Sequence, residues 1–203
     1  MVRKIGLFVF LLVPAVVLAQ NPRSAVGGEA AVWAGGGIST FNPDWGCPTS
    51  SPFCAQQLIG PAVFGDFNLH DQYGVEAEAR WLRWHGSGGF YEDNYLVGPR
   101  DRVLRWHGLL LWVKLEIGGG WIQTPDYPAA GSLKGSYFAF VPGGTLEYRL
   151  SRKLSVRGDY EYEIWPSFKG PPTYSSNGTL NPNASGLTPN GFTIGVAYRI
   201  LGR

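Results

Sequence analysis

The chain has 203 residues, ample for one domain and short for two. Charged residues are only 16%, aromatics reach 14% and glycine numbers 29, with a formal net charge of +2. Its apolar content excludes a disordered chain, and the near-neutral balance excludes the broad basic footprint of a nucleic-acid binder.

Residues 1–20 read MVRKIGLFVFLLVPAVVLAQ. Arg3 and Lys4 precede an apolar run from Ile5 to Val13, then Pro14 and small residues. Val17-Leu18-Ala19 fits the small-x-small rule, so a cleaved export signal over 1–19 is expected. The run is too short for the ~20 residues of a spanning helix. Residues 20–203 are then the mature domain, neutral without Arg3 and Lys4 and located outside the cytoplasm. Cys47 and Cys54 stand in a Pro/Ser-rich stretch. In an oxidising compartment they are expected to close a loop disulfide, since no His or CxxC spacing points to a metal.

From there the apolar residues alternate with period two, the signature of strands half-covered on one face. Residues 29–40 are Gly-rich, with Ala31 and Trp33 in phase. Over 60–69, Val63, Phe67 and Leu69 oppose Asp66 and Asn68. Over 73–84, Val75, Ala77, Ala79 and Trp81 oppose Glu76, Glu78, Arg80 and Leu82. Over 94–104, Arg100 and Arg102 share a face. Over 109–121, Leu111, Val113, Leu115 and Ile117 oppose Trp112, Lys114, Glu116 and Gly118. Over 137–150, Phe138, Phe140, Leu146, Tyr148 and Leu150 oppose Thr145, Glu147 and Arg149. Over 154–165, Leu154, Val156, Tyr160, Tyr162 and Ile164 oppose Arg157, Asp159, Glu161 and Glu163. Over 191–200, Phe192, Ile194, Val196, Tyr198 and Ile200 oppose Thr193, Gly195, Ala197 and Arg199.

Eight such strands are each long enough for the ~9–11 residues of a tilted membrane-crossing strand. The connections 41–59, 85–93, 122–136 and 166–190 are long, and 70–72, 105–108 and 151–153 are short. Long and short alternate, as in an up-and-down meander whose long loops all lie at one end. The expected fold is therefore all-β, an eight-stranded antiparallel transmembrane barrel. Aromatics near the strand ends suit two interfacial girdles: Trp84, Tyr95, Trp121, Tyr137, Phe138 and Trp165 at the loop end, Tyr73, Trp106, Tyr148 and Tyr198 at the turn end.

If the apolar faces meet lipid, the charges must fill the lumen. Glu76, Glu78, Arg80, Arg100, Arg102, Lys114, Glu116, Glu147, Arg149, Arg157, Asp159, Glu161, Glu163 and Arg199, together with Asp66, form that candidate network. An eight-stranded interior is just wide enough to be filled by side chains, and an unpaired buried charge costs several kcal/mol. A salt-bridged plug follows, rather than an open pore. Arg83 and Asp101 fall on the lipid side near the two rims, where charge is cheap. Pro99 and Pro142 fall inside strands, so bulges or local breaks are expected there.

The signal segment, the run Gly98-Pro99-Arg100, the run Gly118 to Trp121 and the final strand from Gly191 to Ile200 together resemble the OmpA-like eight-stranded outer-membrane barrel family. The resemblance covers the whole mature chain, through diffuse motifs. It implies residence in outer-membrane lipid and insertion by the barrel assembly machinery, which reads an aromatic-rich last strand. Phe192 and Tyr198 fit; the usual final aromatic is replaced by Ile200 followed by Leu201-Gly202-Arg203. The chain stops at the barrel, so the peptidoglycan-binding domain of some relatives is expected to be absent.

Chemistry is sparsely marked. His70 and His107 fall in separate short turns, and His85 has Ser87, Glu92 and Asp93 near it in a Gly-rich hairpin. Asn177-Gly178-Thr179 and Asn183-Ala184-Ser185 read as polar loop, and the glycines of 27–37 lack the strand-then-helix context of a phosphate loop. No catalytic, cofactor or metal residue is assigned. The expected role is structural, surface-interacting through loops 41–59 and 166–190, or slowly permeating, in a monomer. Two alternatives differ in kind: a soluble lipocalin-like barrel, with Leu111, Val113, Leu115 and Ile117 inside and Glu161 and Glu163 outside, and a lipid-modifying enzyme working at the outer rim.

Overall fold

The structure is a computed structural model and describes residues 30–44, 57–85, 89–123, 134–169, 173–174, 180–181 and 185–202. The export signal and the Cys47–Cys54 disulfide both lie outside the described residues.

Among the described residues twelve strands follow in chain order: β1 (Ala31–Asn42), β2 (Leu58–Asn68), β3 (Tyr73–Arg83), β4 (Tyr91–Trp106), β5 (Leu109–Gln123), β6 (Lys134–Arg149), β7 (Leu154–Tyr162), β8 (Trp165–Lys169), β9 (Thr173–Tyr174), β10 (Leu180–Asn181), β11 (Ser185–Leu187) and β12 (Asn190–Leu201). Strands β1 to β7 pair each with the next, and β12 closes the ring between β7 and β1, so eight antiparallel strands form a closed barrel. Closure leaves the barrel without a free sheet edge. The final strand's small residues serve that seam: Gly37 lies opposite Gly195, and Gly35 opposite Ala197.

Short turns join the strands at one end. Between β4 and β5 the turn has two residues, His107 and Gly108, with φ of 45° and 88°. Positive φ at both positions is the backbone of the tight hairpin turn that matches strand twist. Before β7, the Ser151 hydroxyl accepts the Lys153 and Leu154 N–H groups at 3.2 and 3.1 Å, an Ser/Thr-type turn.

Alternation dictates the wall. On β5, Leu115 and Ile117 are 38% and 47% exposed, whereas Lys114 and Glu116 between and before them are buried. Val63, Val75, Val97, Tyr160, Ile194 and Val196 join the outward apolar surface. The soluble ligand-binding alternative required the reverse, and the exposed Leu115 with the buried Glu161 and Glu163 overturns it.

Four details bear on the sequence expectations: the first two meet the local breaks expected at Pro99 and Pro142, and the last two depart from what was expected. First, the β4–β5 ladder skips Gly98 and Pro99 and resumes at Arg100 in unchanged register; the register shift falls later, between Arg102 and Leu104. Second, Pro142 pairs in register with Leu115, but the β6–β7 ladder ends at Gly143 and reappears as the single bridge Phe140–Ile164. The prolines interrupt ladders because they lack a donor, yet neither inserts a bulge. Third, β7 stops at Tyr162, and the chain continues into β8, which pairs with β11; β9 pairs with β10. The segment 166–190 thus carries short ribbons of its own. Fourth, β4 begins at Tyr91, so Glu92 and Asp93 belong to the wall rather than to a loop.

Candidate functional site

The inward faces build three tiers along the barrel axis. The loop-end tier is apolar. Phe41, Leu58, Leu82, Phe90, Leu96, Ile122, Val141, Trp165, Phe168 and Leu187 form one buried cluster. Its centre is Trp165 at the start of β8, buried against Gly120, where a methyl group would collide with the indole ring. Trp165 was expected in the outer aromatic girdle; it turns inward instead. Tyr137 and Trp84 also lean onto this cluster. Tyr95, Trp121 and Phe138 stay outside, with the Trp81 indole N–H donating to the Tyr95 hydroxyl at 3.0 Å and Tyr95 edge-on to Trp121.

The middle tier holds the ion pairs. Arg80 bonds Glu163 at 2.7 Å, pairs with Glu161, and lies 3.6 Å from Glu78. Lys114 reaches Glu76 at 2.8 Å, Glu78 at 3.1 Å and Glu116 at 3.3 Å, and pairs with Glu161. Arg157 donates to Glu76 at 2.6 Å and through Nε to Asp159 at 2.8 Å, and lies 3.3 Å from Asp66. Arg100 pairs with Asp66, with Glu76 at 3.1 Å and with Glu147 at 3.7 Å. Thr145 donates to Asp159, and the Ser39 and Thr193 hydroxyls share a bond of 2.6 Å across the seam. Aromatic faces flank the cations: Phe41 lies 4.2 Å from the Arg80 guanidinium and Phe64 3.9 Å from that of Arg157. The ion-paired groups come from β2 to β7 and, with Glu163, from the residue after β7, while Ser39 and Thr193 add β1 and β12, so the network ties strands across the lumen as well as along the wall.

The third tier is the turn-end mouth. Trp33 and Trp112 are buried there, and Arg102, Arg149 and Arg199 stand over them. Of the charges expected to interlock, these three stand apart. Arg149 comes no nearer than 3.8 Å to Glu147, and among the described residues neither Arg102 nor Arg199 has a carboxylate within 4.0 Å.

Sequence reasoning missed Glu92 and Asn94. Both are fully buried, and the Asn94 amide donates to Glu92 and Glu163 at 2.9 Å each. Glu163 also accepts the Trp165 indole N–H at 2.6 Å, which locks the middle tier to the apolar one. The parity of β4 held the signal: Glu92 and Asn94 are in phase with Arg100. Asp93, one residue on, faces outward and pairs with Arg83. The rim acids near His85 therefore point to opposite faces, and Ser87 lies outside the described residues. Glu76, Glu78 and Glu116 bring carboxylate oxygens within 4.8 Å of one another, but the Lys114 ammonium already bridges all three.

No family profile and no curated protein matches the sequence. Solved structures do match in three dimensions. Neisserial surface protein A superposes with a TM-score of 0.56 at 8% identity, covering 85% of this chain and 99% of that one. OprG, an outer membrane protein of Pseudomonas aeruginosa, gives 0.55 at 10% identity over 87% and 97%. Ail, the attachment invasion locus protein of Yersinia pestis, gives 0.52 at 18% identity over 86% and 100%. The chain has the eight-stranded outer-membrane barrel fold. The outward wall is aliphatic and the buried ion pairs occupy the bore, and in barrels of this fold such an outward apolar band is the surface that meets hydrocarbon.

Proposed function

We propose that this protein is an integral outer-membrane barrel of bacteria whose lumen is a closed, ion-paired plug and whose work is done by its surface. One observation carries the reading: aliphatic side chains such as Val113, Leu115 and Ile117 cover the outside, while Lys114, Glu116, Arg157 and Glu161 are buried in the bore. A soluble barrel gains nothing from that inversion. In a bilayer it satisfies both solvents, because the mid-strand surface offered to hydrocarbon is apolar and ring closure pairs each strand with a neighbour on both sides.

The same reading supplies the route. An export signal over 1–19 directs the chain outward, Cys47 and Cys54 join in the oxidising space, and the barrel assembly machinery reads the last strand, which carries Phe192 and Tyr198. The product is a monomer without cofactor or catalytic centre. Two of the similar structures are a surface protein and an attachment invasion locus protein. Their names support a surface-interaction role through the long connections 41–59 and 166–190.

Planar bilayer recordings test the closed lumen. Purified protein is expected to give no large steady conductance, because the bore is crossed by Arg80, Lys114 and Arg157 pairs and capped by Trp165. A stable high-conductance channel from pure protein refutes the plug. Cell fractionation with heat-modifiable gel mobility tests the location: recovery in the soluble periplasmic fraction refutes it.

A further inference from the structure

Charge is unevenly distributed along the bore. Toward the loop end, Glu78, Glu92, Glu116, Glu161 and Glu163 outnumber Arg80 and Lys114. Toward the turn end the sign reverses: among the described residues Arg102 on β4 and Arg199 on β12 have no carboxylate within 4.0 Å, and Arg149 on β6 has only Glu147, at 3.8 Å. Arg149 and Arg199 stand over one ring, that of Trp33, at 5.7 and 4.8 Å from its centroid. Arg102 stands 5.8 Å from the Trp112 centroid. The Nε atoms of Arg149 and Arg199 are buried without a hydrogen-bond partner. Like charges do not gather over one indole for their own sake. The cation–π contact with the ring accepts no N–H bond, so the Nε–H of each guanidinium is left to be satisfied from elsewhere.

We propose that this mouth binds a phosphate-type oxyanion, bridged by Arg149 and Arg199 with Arg102 as a third donor. Guanidinium edges match such oxygens in bidentate geometry, and charge-assisted bonds of this kind are the strong ones. The anionic groups around the site compete only weakly. Glu147 stands 3.8 Å from Arg149 and is shared with Arg100, Asp71 lies in the turn before β3, and Asp101 is the neighbour of Arg102 on β4, where Arg105 adds a further positive charge. The proposal rests on the barrel reading above for its orientation, since this mouth then opens on the short-turn side. Two sources present the same chemistry there: free phosphate from the aqueous space, and the phosphodiester headgroup of a lipid reaching over the rim.

Guanidinium NMR shifts of Arg149 and Arg199, read on folded protein in nanodiscs, test the site and separate the sources. One arm adds inorganic phosphate to phosphatidylcholine nanodiscs. The other substitutes phosphatidylglycerol for part of the lipid, without phosphate. Saturable shifts in the first arm assign a free anion, and shifts in the second assign a headgroup. Either supports the proposal, and shifts in neither overturn it. Arg149→Gln with Arg199→Gln is expected to weaken binding about tenfold or more, while Arg152→Gln in the neighbouring turn leaves it unchanged. Affinity unaffected by the double substitution also overturns the site. Heat-modifiable mobility of each variant reports barrel folding separately, so loss of the barrel is distinguishable from loss of the anion.

Discussion

Lys114 is the residue on which the interior turns. It touches Glu76, Glu78, Glu116 and Glu161, all buried, and the Glu116 carboxylate has no hydrogen bond of its own. Buried ion pairs stabilise little on balance, but removing one partner leaves uncompensated charge at a cost of about 3–5 kcal/mol. Lys114→Met should therefore lower barrel stability by about that amount, read from urea unfolding in micelles by gel mobility. Adding Glu161→Gln should recover part of the loss, because the two sites are coupled through one contact. Equal stability of Lys114→Met and wild type would show that the carboxylates do not depend on the ammonium. On the outside, the opposite rule holds. Ile117→Arg places a charge on the hydrocarbon face in mid-strand and should cost about 2–4 kcal/mol by the same assay, whereas the native Arg83, paired with Asp93 near the rim, is cheap.

Among the strands, the wall was legible because alternation is a local property. A residue's parity along its strand decides whether it meets lipid or lumen, and parity can be read without knowing any partner. The same rule, carried further, contained Glu92, Asn94 and Trp165. Trp165 is in phase with Glu161 and Glu163, and its inward placement follows from that parity. It was hidden by the general preference of Trp for membrane interfaces, which here yields to a buried indole bonded to Glu163. What was not legible is non-local: the break of β7 at Tyr162, the pairing of β8 with β11, and the space left by Gly120 for the indole. Those depend on the other side of the barrel. They also make a prediction for β5. Gly120→Ala should expel Trp165 from the cap, seen as a change in Trp fluorescence and faster exchange of the Trp165 indole proton. An unchanged indole environment would mean that β8 does not seal this end.

The molecule as a whole is a soluble protein turned inside out, and the partition of charge follows from that inversion. On the proposed reading hydrocarbon keeps its mid-strand exterior apolar, so most of the charges lie inside, where the narrow bore makes them pair. Where pairing fails, at the turn-end mouth, the arginines lie at the opening, and Arg149 is still partly exposed. The orientation of β5 tests this account most directly. In nanodiscs, nuclear Overhauser contacts from lipid acyl-chain protons should reach the side chains of Val113, Leu115 and Ile117 and be absent from Lys114 and Glu116. Acyl-chain contacts to Lys114 and Glu116, with none to Leu115, would contradict it.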